Sequence, residues 1–262
     1  MRFFLLALIF FQLMIVINIS SQGVYAPLNS EYYHLIDRYE IKSGKFSKGI
    51  FTSYKPTLRK DISILADSVS ALENISMVDK FNISYLKNDN WEWYEDSLGI
   101  GNSSKPIFKM FYQKNNALFQ FRSKEFEMQV NPVLNFELRS GNRDYPLSLN
   151  SRGLEIRGLI GKKIGFYTFL TDNQAFVPDY VKRVADSTLA FPNEGFTKIF
   201  KNTGYDFFSA RGYINFNIIK QIGVQFGHDK NFIGNGTRSL YLSDYSSKYR
   251  APAWPVSRCA RC

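Results

Sequence analysis

The sequence predicts a mainly β fold in which a small N-terminal α-helical bundle precedes a run of antiparallel strands. This prediction depends on two periodicities of the apolar residues. Before Ser104 they recur every three or four residues, and after it they recur every second residue. A third observation, an apolar leader at the N-terminus, predicts that the chain is exported. Together these patterns divide the chain into the segments 1–23, 24–96, 97–250 and 251–262.

Residues 1–23 have the pattern of a cleaved secretory signal peptide. Arg2 precedes an apolar run that ends at Ile17, and the expected cleavage region lies between Ser21 and Val24. The run is shorter than the roughly 20 residues that a membrane-spanning helix requires. The sequence therefore favours an exported, processed chain over a chain held by a helical anchor.

Segment 24–96 is predicted to form the helical bundle. Leu58, Ile62, Leu65 and Val69 follow one another at spacings of four and three, which places them along one side of a helix. Shorter apolar stripes before and after this helix predict two more, the second of which starts with a capping-box pattern. These stripes are typical of a helix core and contain no catalytic constellation.

Segment 97–250 is predicted to consist mostly of strands. Within 126–138 every second side chain is apolar and the side chains between them are mostly polar. The same alternation recurs at 108–112, 154–157 and 213–227, and the whole segment holds roughly eight strand candidates. One face of each strand is therefore apolar and the other polar.

Two interruptions are expected in this pattern. Pro132 lacks an amide hydrogen, so it predicts a bulge or an edge position in its strand. Residues 174–203 are too many for a tight turn and predict a long loop, with a helical turn near 180–184.

Two architectures produce such alternating strands. A water-soluble sheet packs its apolar face into a core, whereas a membrane barrel turns its apolar face to lipid and its polar face to the lumen. Export, the length of several runs and the mixture of charges and amides on the polar face favour the barrel. The predicted fold is therefore mainly β, an antiparallel membrane β-barrel preceded by a small N-terminal α-helical bundle.

The positive charge is concentrated in the strand-rich part of the chain. Residues 28–96 contain 9 Lys/Arg and 11 Asp/Glu, whereas residues 97–262 contain 23 and 12. This surplus predicts an anionic partner, for which acidic polysaccharide, lipopolysaccharide phosphate and nucleic acid would all qualify by charge. Export excludes nucleic acid, so the expected partners are acidic surface polysaccharide and outer-membrane lipid or lipopolysaccharide.

The densest cluster of polar side chains follows the last predicted strand. Its candidate ligand-binding residues are His228, Asp229, Lys230, Asn231, Asn235 and Arg238. Amides, a carboxylate and a guanidinium suit the hydroxyl and carboxylate groups of sugars. A structured turn, with glycines at positive φ, explains the same residues equally well.

Two arginines near a predicted strand, Arg152 and Arg157, are further candidates. In one interpretation, an ion pair between Glu155 and Arg157 inside the lumen stabilises the barrel wall. In the other, the two arginines are part of a row of anion-binding side chains. Both arginines are therefore retained as candidate polysaccharide ligands.

The sequence predicts neither an enzyme nor a cofactor or metal site. Adjacent residues on a strand point to opposite faces, so Asp229 cannot orient His228, and no Gly-x-Ser-x-Gly motif is present. Cys259 and Cys262 are the only cysteines, and a lone pair without a nearby histidine is weak evidence for zinc or redox chemistry. Segment 251–262 is expected to be an aberrant tail, because it breaks abruptly from the strand pattern.

Several motifs resemble the capsule-assembly Wzi family of Gram-negative outer membranes. The similar runs are PLN at 27–29, YHLIDR at 33–38, VNPVL at 130–134, RGLEIRG at 152–158 and, most specifically, QFGHDKNFIGNGTRSL at 225–240. The resemblance implies a barrel closed at its periplasmic end by helices, which binds surface polysaccharide and helps to anchor the capsule. The family barrel has on the order of 18 strands, so this sequence is expected to form a partial, truncated outer-membrane β-barrel that stops short of closure.

The expected function is therefore non-catalytic binding of capsular polysaccharide at the outer membrane. Two alternatives stay open at this point. A porin or transporter would have a conducting polar lumen, and an outer-membrane lipid hydrolase would bring His228 within hydrogen-bond reach of a serine such as Ser239.

Overall fold

In the computed structural model, the chain forms three N-terminal helices and one large antiparallel sheet. The structure describes residues 23–28, 32–47, 49–73, 75–108, 110–140, 146–201, 203–219, 222–242 and 247–253. Nearly all of the predicted signal peptide and both cysteines lie outside these described residues.

The helices and strands are numbered in chain order. The helices are α1 (Tyr32–Ser43), α2 (Arg59–Ser70), α3 (Met77–Asp89) and α4 (Asp179–Thr188). The strands before α4 are β1 (Tyr54–Lys55), β2 (Phe119–Arg122), β3 (Phe126–Arg139), β4 (Leu147–Ile160) and β5 (Ile164–Phe176). The strands after it are β6 (Ala190–Phe191), β7 (Gly195–Phe200), β8 (Gly204–Ile219), β9 (Ile222–Asp229), β10 (Phe232–Ile233) and β11 (Tyr249–Ala253). The prediction of a mainly antiparallel β fold with a few helices is confirmed.

Helices α1 to α3 pack around a core to which α1 and α2 contribute their predicted apolar stripes. The stripe predicted for α3 was wrong, because Val78, Phe81 and Tyr85 are exposed and Ile83 and Leu86 face the core instead. Ile36, Ile62, Leu65 and Leu86 are buried in this core. The predicted capping box is present at the start of α3, where the Ser76 side chain accepts the backbone N–H of Asp79. Because Lys42 of α1 also donates to the Asp79 carboxylate, the pKa of Asp79 is held well below its usual range. Helices α1 and α3 are thereby joined by charge as well as by apolar contact.

The large sheet runs in the order β2, β3, β4, β5, β8, β9, β11. Strand β7 pairs with the part of β8 that β9 does not reach, and β6 pairs with β7. The β3–β4 register runs from Phe126 opposite Ile160 to Arg139 opposite Leu147 without a shift. Within the described residues the outermost strands, β2 and β11, do not pair with each other, so the described sheet is open.

Pro132 occupies an edge position rather than a bulge. Strand β2 pairs only with the stretch of β3 from Glu127 to Val130. Beyond Val130, β3 has β4 as its only neighbouring strand among the described residues, so the missing amide hydrogen of Pro132 disrupts no second ladder.

Many of the large side chains on one face of the sheet are apolar and exposed. We call this the exposed apolar face, and it includes Leu134, Phe136, Leu138, Phe208, Ile214 and Phe226. The register places them on one side, since Leu134 is connected through Arg152 and Asp172 to Phe208, and Ile214, six positions after Phe208, pairs with Phe226. For Leu134 the exposed fraction is 77%. A water-soluble sheet would bury these side chains.

The opposite face carries polar side chains and is buried. We call this the buried polar face, and it includes Gln129, Arg157, Thr171, Asn173, Asn215 and Gln225. Residues of the N-terminal part cover much of it. Asn215 donates to the carbonyl of Gly23, and Tyr213 accepts the backbone N–H of Tyr25. This polarity is opposite to that of an ordinary half-buried sheet.

A glycine makes the close approach of the N-terminal segment possible. A Cβ at Gly165 would lie 2.3 Å from the Asn215 side chain and 3.2 Å from the Gly23 carbonyl. Any other residue would therefore push the segment Val24–Ala26 away from the sheet.

Three other local predictions were wrong. The described residues of 108–112 form a turn instead of a strand, because Phe108 and Tyr112 adopt positive φ angles of 51° and 52° and Ile107 bridges to Phe111. The long loop expected at 174–203 is wrong, because β5 extends to Phe176 and β6 and β7 follow α4, although the helical turn expected near 180–184 is present as part of α4. The strand pattern also continues past residue 250, since residues 251–253 pair with β9 as part of β11. In the described part of the chain no helix has the length and apolar character needed to cross a membrane.

Candidate functional site

A cavity of about 1120 Å³ lies against the buried polar face. Its walls come from β3, β4, β5, β8 and β9, from α4 and from the loop after β9, while Tyr33 and Lys55 of the N-terminal part also line it. Six basic and three acidic side chains line the cavity, so its formal charge is positive. The basic residues are Lys55, Arg139, Arg211, Lys230, Arg238 and Lys248, and the acidic residues are Glu137, Glu194 and Asp229.

Four of the eight predicted site residues line this cavity. They are Asp229, Lys230, Asn231 and Arg238. All four belong to the motif that follows β9. The structure therefore brings four of the six residues of the predicted polar cluster together with charged residues that lie far away in the sequence.

The other four predicted residues lie elsewhere. Strand β9 places His228 on the exposed apolar face, on the side opposite Asp229, as the alternation of a strand requires. Arg152 is also on that face, where it pairs with Asp172 at 3.5 Å while both side chains are about half exposed. Asn235 is exposed and is not among the residues that line the cavity. These three side chains do not line the cavity, and their role as ligand-binding residues stays a prediction.

Arg157, the fourth, lies at the junction between the helices and the sheet. Its guanidinium donates to Gln129 at 3.1 Å and lies 3.4 Å from the Asp89 carboxylate and 3.5 Å from that of Glu92. Arg59 of α2 approaches the same Asp89 at 3.0 Å. Burial raises the pKa of Asp89 to about 6, although the nearby guanidinium of Arg157 opposes the shift. Arg157 therefore braces the helices against β4.

The loop after β9 is held by the N-terminal part of the chain. Strand β10 pairs with β1, so that Ile233 lies opposite Tyr54 and Phe232 opposite Lys55. The Tyr54 hydroxyl donates to the Asn231 side chain at 3.1 Å, and the backbone N–H of Gly234 donates to Ser53 at 2.7 Å. This loop is thus both a structured turn, with Gly234 at a φ of 118°, and a wall of the cavity.

The cavity cations differ in how far protein groups neutralise them. Lys248 is paired with Glu194 and donates to Ser209 at 2.5 Å, and Arg139 pairs with Glu137 at 2.6 Å. Among the described residues, no carboxylate lies within ion-pair distance of Arg211 or Lys55. The guanidinium of Arg211 lies 4.2 Å from the centre of the Phe169 ring.

Part of the cavity wall is aromatic. Phe191 stacks on Phe207 with 4.2 Å between ring centres, and Val177 and Val181 pack beside them under α4. Phe207 precedes Arg211 by four positions on β8, which is about 13 Å along the strand. The cavity therefore contains aromatic and aliphatic surface as well as charged side chains.

The sequence pattern predicts that Arg211 faces the cavity, but it gives no such indication for Lys55. Arg211 lies at an odd-numbered position of β8, as do Tyr213 and Asn215, so the two-residue rhythm assigns it to the polar face. Lys55 reaches the cavity only because β1 pairs with β10, a contact between residues far apart in the chain.

Comparisons with protein-family models, with curated proteins and with solved structures each found no match. The resemblance to the Wzi family therefore rests on the sequence motifs alone and stays a prediction.

Proposed function

We propose that this chain forms part of the wall of an outer-membrane β-barrel, and that its cavity binds an acidic surface polysaccharide without catalysing a reaction. The observation that carries the proposal is the inverted polarity of the sheet, which combines an exposed apolar face with a buried polar face. The positive charge of the cavity on the polar side supports an acidic ligand.

The exposed apolar face supports the membrane part of the proposal. In water, Leu134, Phe136 and Phe226 would leave large apolar surfaces solvated, whereas in a bilayer the same side chains contact acyl chains. The strands β3, β4, β5 and β8 are 13–16 residues long. A tilted strand needs about 9–11 residues to cross the hydrocarbon region, so these strands are long enough.

The chemistry of the cavity supports the ligand part of the proposal. Arg211, Lys230 and Lys55 supply positive charge for the carboxylates of acidic sugars. Asn173 and Asn231 supply amides for hydroxyl groups, and the rings along the wall supply flat surfaces for the apolar faces of sugar rings. The positive formal charge of the cavity therefore favours an anionic ligand over a neutral or cationic one.

Replacing Arg211 with Gln is expected to weaken binding of a polyuronate to the full chain in detergent about tenfold, because a charge-assisted contact is lost. Isothermal titration at several salt concentrations measures this loss, and the variant should also show a shallower dependence on salt. The matched control is Arg183→Gln, since Arg183 is an exposed residue of α4 that does not line the cavity. Equal affinity for the two variants, or equal binding of a neutral glucan, would contradict the proposal.

A polar inner face would also suit a porin or transporter, the second candidate function. The observation that favours it is the row of polar side chains that faces the cavity. Conductance across planar bilayers separates the two candidates, because a polysaccharide-binding protein without a continuous pore would show none.

A further inference from the structure

Lys55 differs from the other cavity cations in its origin and its surroundings. It lies on β1, in the N-terminal part that contains α1 to α3, whereas the other five lie in the strands of the sheet or in their connecting loops. Its ammonium group is 5.0 Å from the centre of the Tyr33 ring and 5.6 Å from that of Phe232. One of these rings belongs to α1 and the other to β10, so Lys55 lies at the seam between the two parts of the chain.

The position of Lys55 is set by backbone pairing and by a fixed tyrosine. Lys55 is opposite Phe232 in the β1–β10 register. The Tyr33 hydroxyl donates to the carbonyl of Ala26 at 2.9 Å and accepts the backbone N–H of Thr57 at 3.3 Å. Burial raises the pKa of Tyr33 above its usual range, so this ring is neutral. The ammonium group is therefore held between two uncharged ring faces.

An anion is the partner that this arrangement favours. Ring faces attract a cation but do not neutralise its charge. No carboxylate among the described residues is within ion-pair distance of Lys55, and the half-buried side chain opens into the cavity. Lys230, which precedes Phe232 by two residues, and Arg211 line the same cavity. A ligand carboxylate bound at this seam would contact cations from both parts of the chain.

We propose that Lys55, Lys230 and Arg211 form a subsite for one carboxylate of an acidic sugar, and that the bound carboxylate clamps the N-terminal helices to the sheet. The proposal rests on the proposed function, because it assigns one sugar of the same ligand to the seam. A ligand that binds both sides of a contact stabilises that contact by mass action. Binding at the cavity therefore tightens the pairing of β1 with β10.

Hydrogen exchange tests this consequence on the full chain in detergent, with and without a saturating polyuronate. In the unaltered protein, the ligand should slow exchange at least fivefold in the peptides that contain β1 and β10, including the Gly234 amide that donates to Ser53. Lys55→Met keeps most of the apolar stem and removes the charge. It should lose this protection and lower the affinity for polyuronate about tenfold. Lys55→Arg should retain both properties.

The matched control is Lys60→Met. Lys60 is a lysine of α2 whose ammonium group lies 5.6 Å from the centre of the Trp93 ring, and it does not line the cavity. This variant should bind and protect as the unaltered protein does. Thermal unfolding of each variant without ligand verifies that the fold is retained.

The outcomes separate this inference from the proposed function. If the unaltered protein and Lys55→Met bind polyuronate equally and β1–β10 exchange is unchanged by ligand, the clamp is refuted while polysaccharide binding stands. If the unaltered protein does not bind polyuronate at all, both proposals are refuted.

Discussion

Replacing Ile214 with Arg should destabilise the protein in a lipid bilayer by about 1–3 kcal/mol, because a cationic side chain on a lipid-facing surface costs about 2–4 kcal/mol at the bilayer midplane and less toward its edges. Ile214 lies on the exposed apolar face and pairs with Phe226, which is also exposed. In water the same substitution would be nearly neutral, because the side chain is already solvent-accessible. The expected loss therefore arises only if lipid covers this face.

The matched control is Ile41→Arg in α1. Ile41 is even more exposed than Ile214, at 83% against 44%, but it lies on a helix outside the sheet. Denaturant titration after folding into lipid vesicles measures both variants against the unaltered protein. Equal stability of the two variants would contradict the assignment of the apolar face to lipid.

The second large effect is expected from Arg157→Met, which should cost about 3–5 kcal/mol, the usual loss when one partner of a buried ion pair is removed. Among the described residues, the substitution leaves the Asp89 and Glu92 carboxylates with Arg59 as the one close cation. The loss should be largest at pH 7.5 and smaller at pH 5. The pKa of Asp89 is about 6, so this carboxyl is protonated at the lower pH and no longer requires a counter-charge.

A second arginine of the same strand provides the control for this prediction. Arg152 pairs with Asp172, but both side chains are about half exposed, so Arg152→Met should change stability by about 1 kcal/mol or less. Thermal unfolding and limited proteolysis between α3 and β2 measure both variants. Similar losses for the two arginines would show that Arg157 does not brace the helices.

The alternation of side chains made much of the sheet predictable. It correctly predicted β3, the C-terminal part of β8 and most of β9, and it predicted that Asp229 and His228 point to opposite faces. The same rule predicted a strand at 108–112, where turns occur. Periodicity does not report the positive φ angles that Phe108 and Tyr112 adopt.

The candidate site was only half predictable because contacts between distant residues build it. The polar motif after β9 was visible as a cluster, and it supplies four cavity residues. Arg152 and Arg157 share a short motif, yet they lie on opposite faces of the sheet at different depths. Lys55 had no local signal, since its place depends on the pairing of β1 with β10.

The central claim is that the apolar face of the sheet contacts lipid while the polar face encloses a watery cavity. Nitroxide labels introduced one at a time at Phe136, Ile214 and Phe226, and at the neighbouring Asn135, Asn215 and Gln225, test it in vesicles. We expect the first three labels to collide with lipid-dissolved oxygen, while the second three are shielded from it. Labels at Phe136, Ile214 and Phe226 that collide instead with a water-soluble nickel complex would contradict the claim.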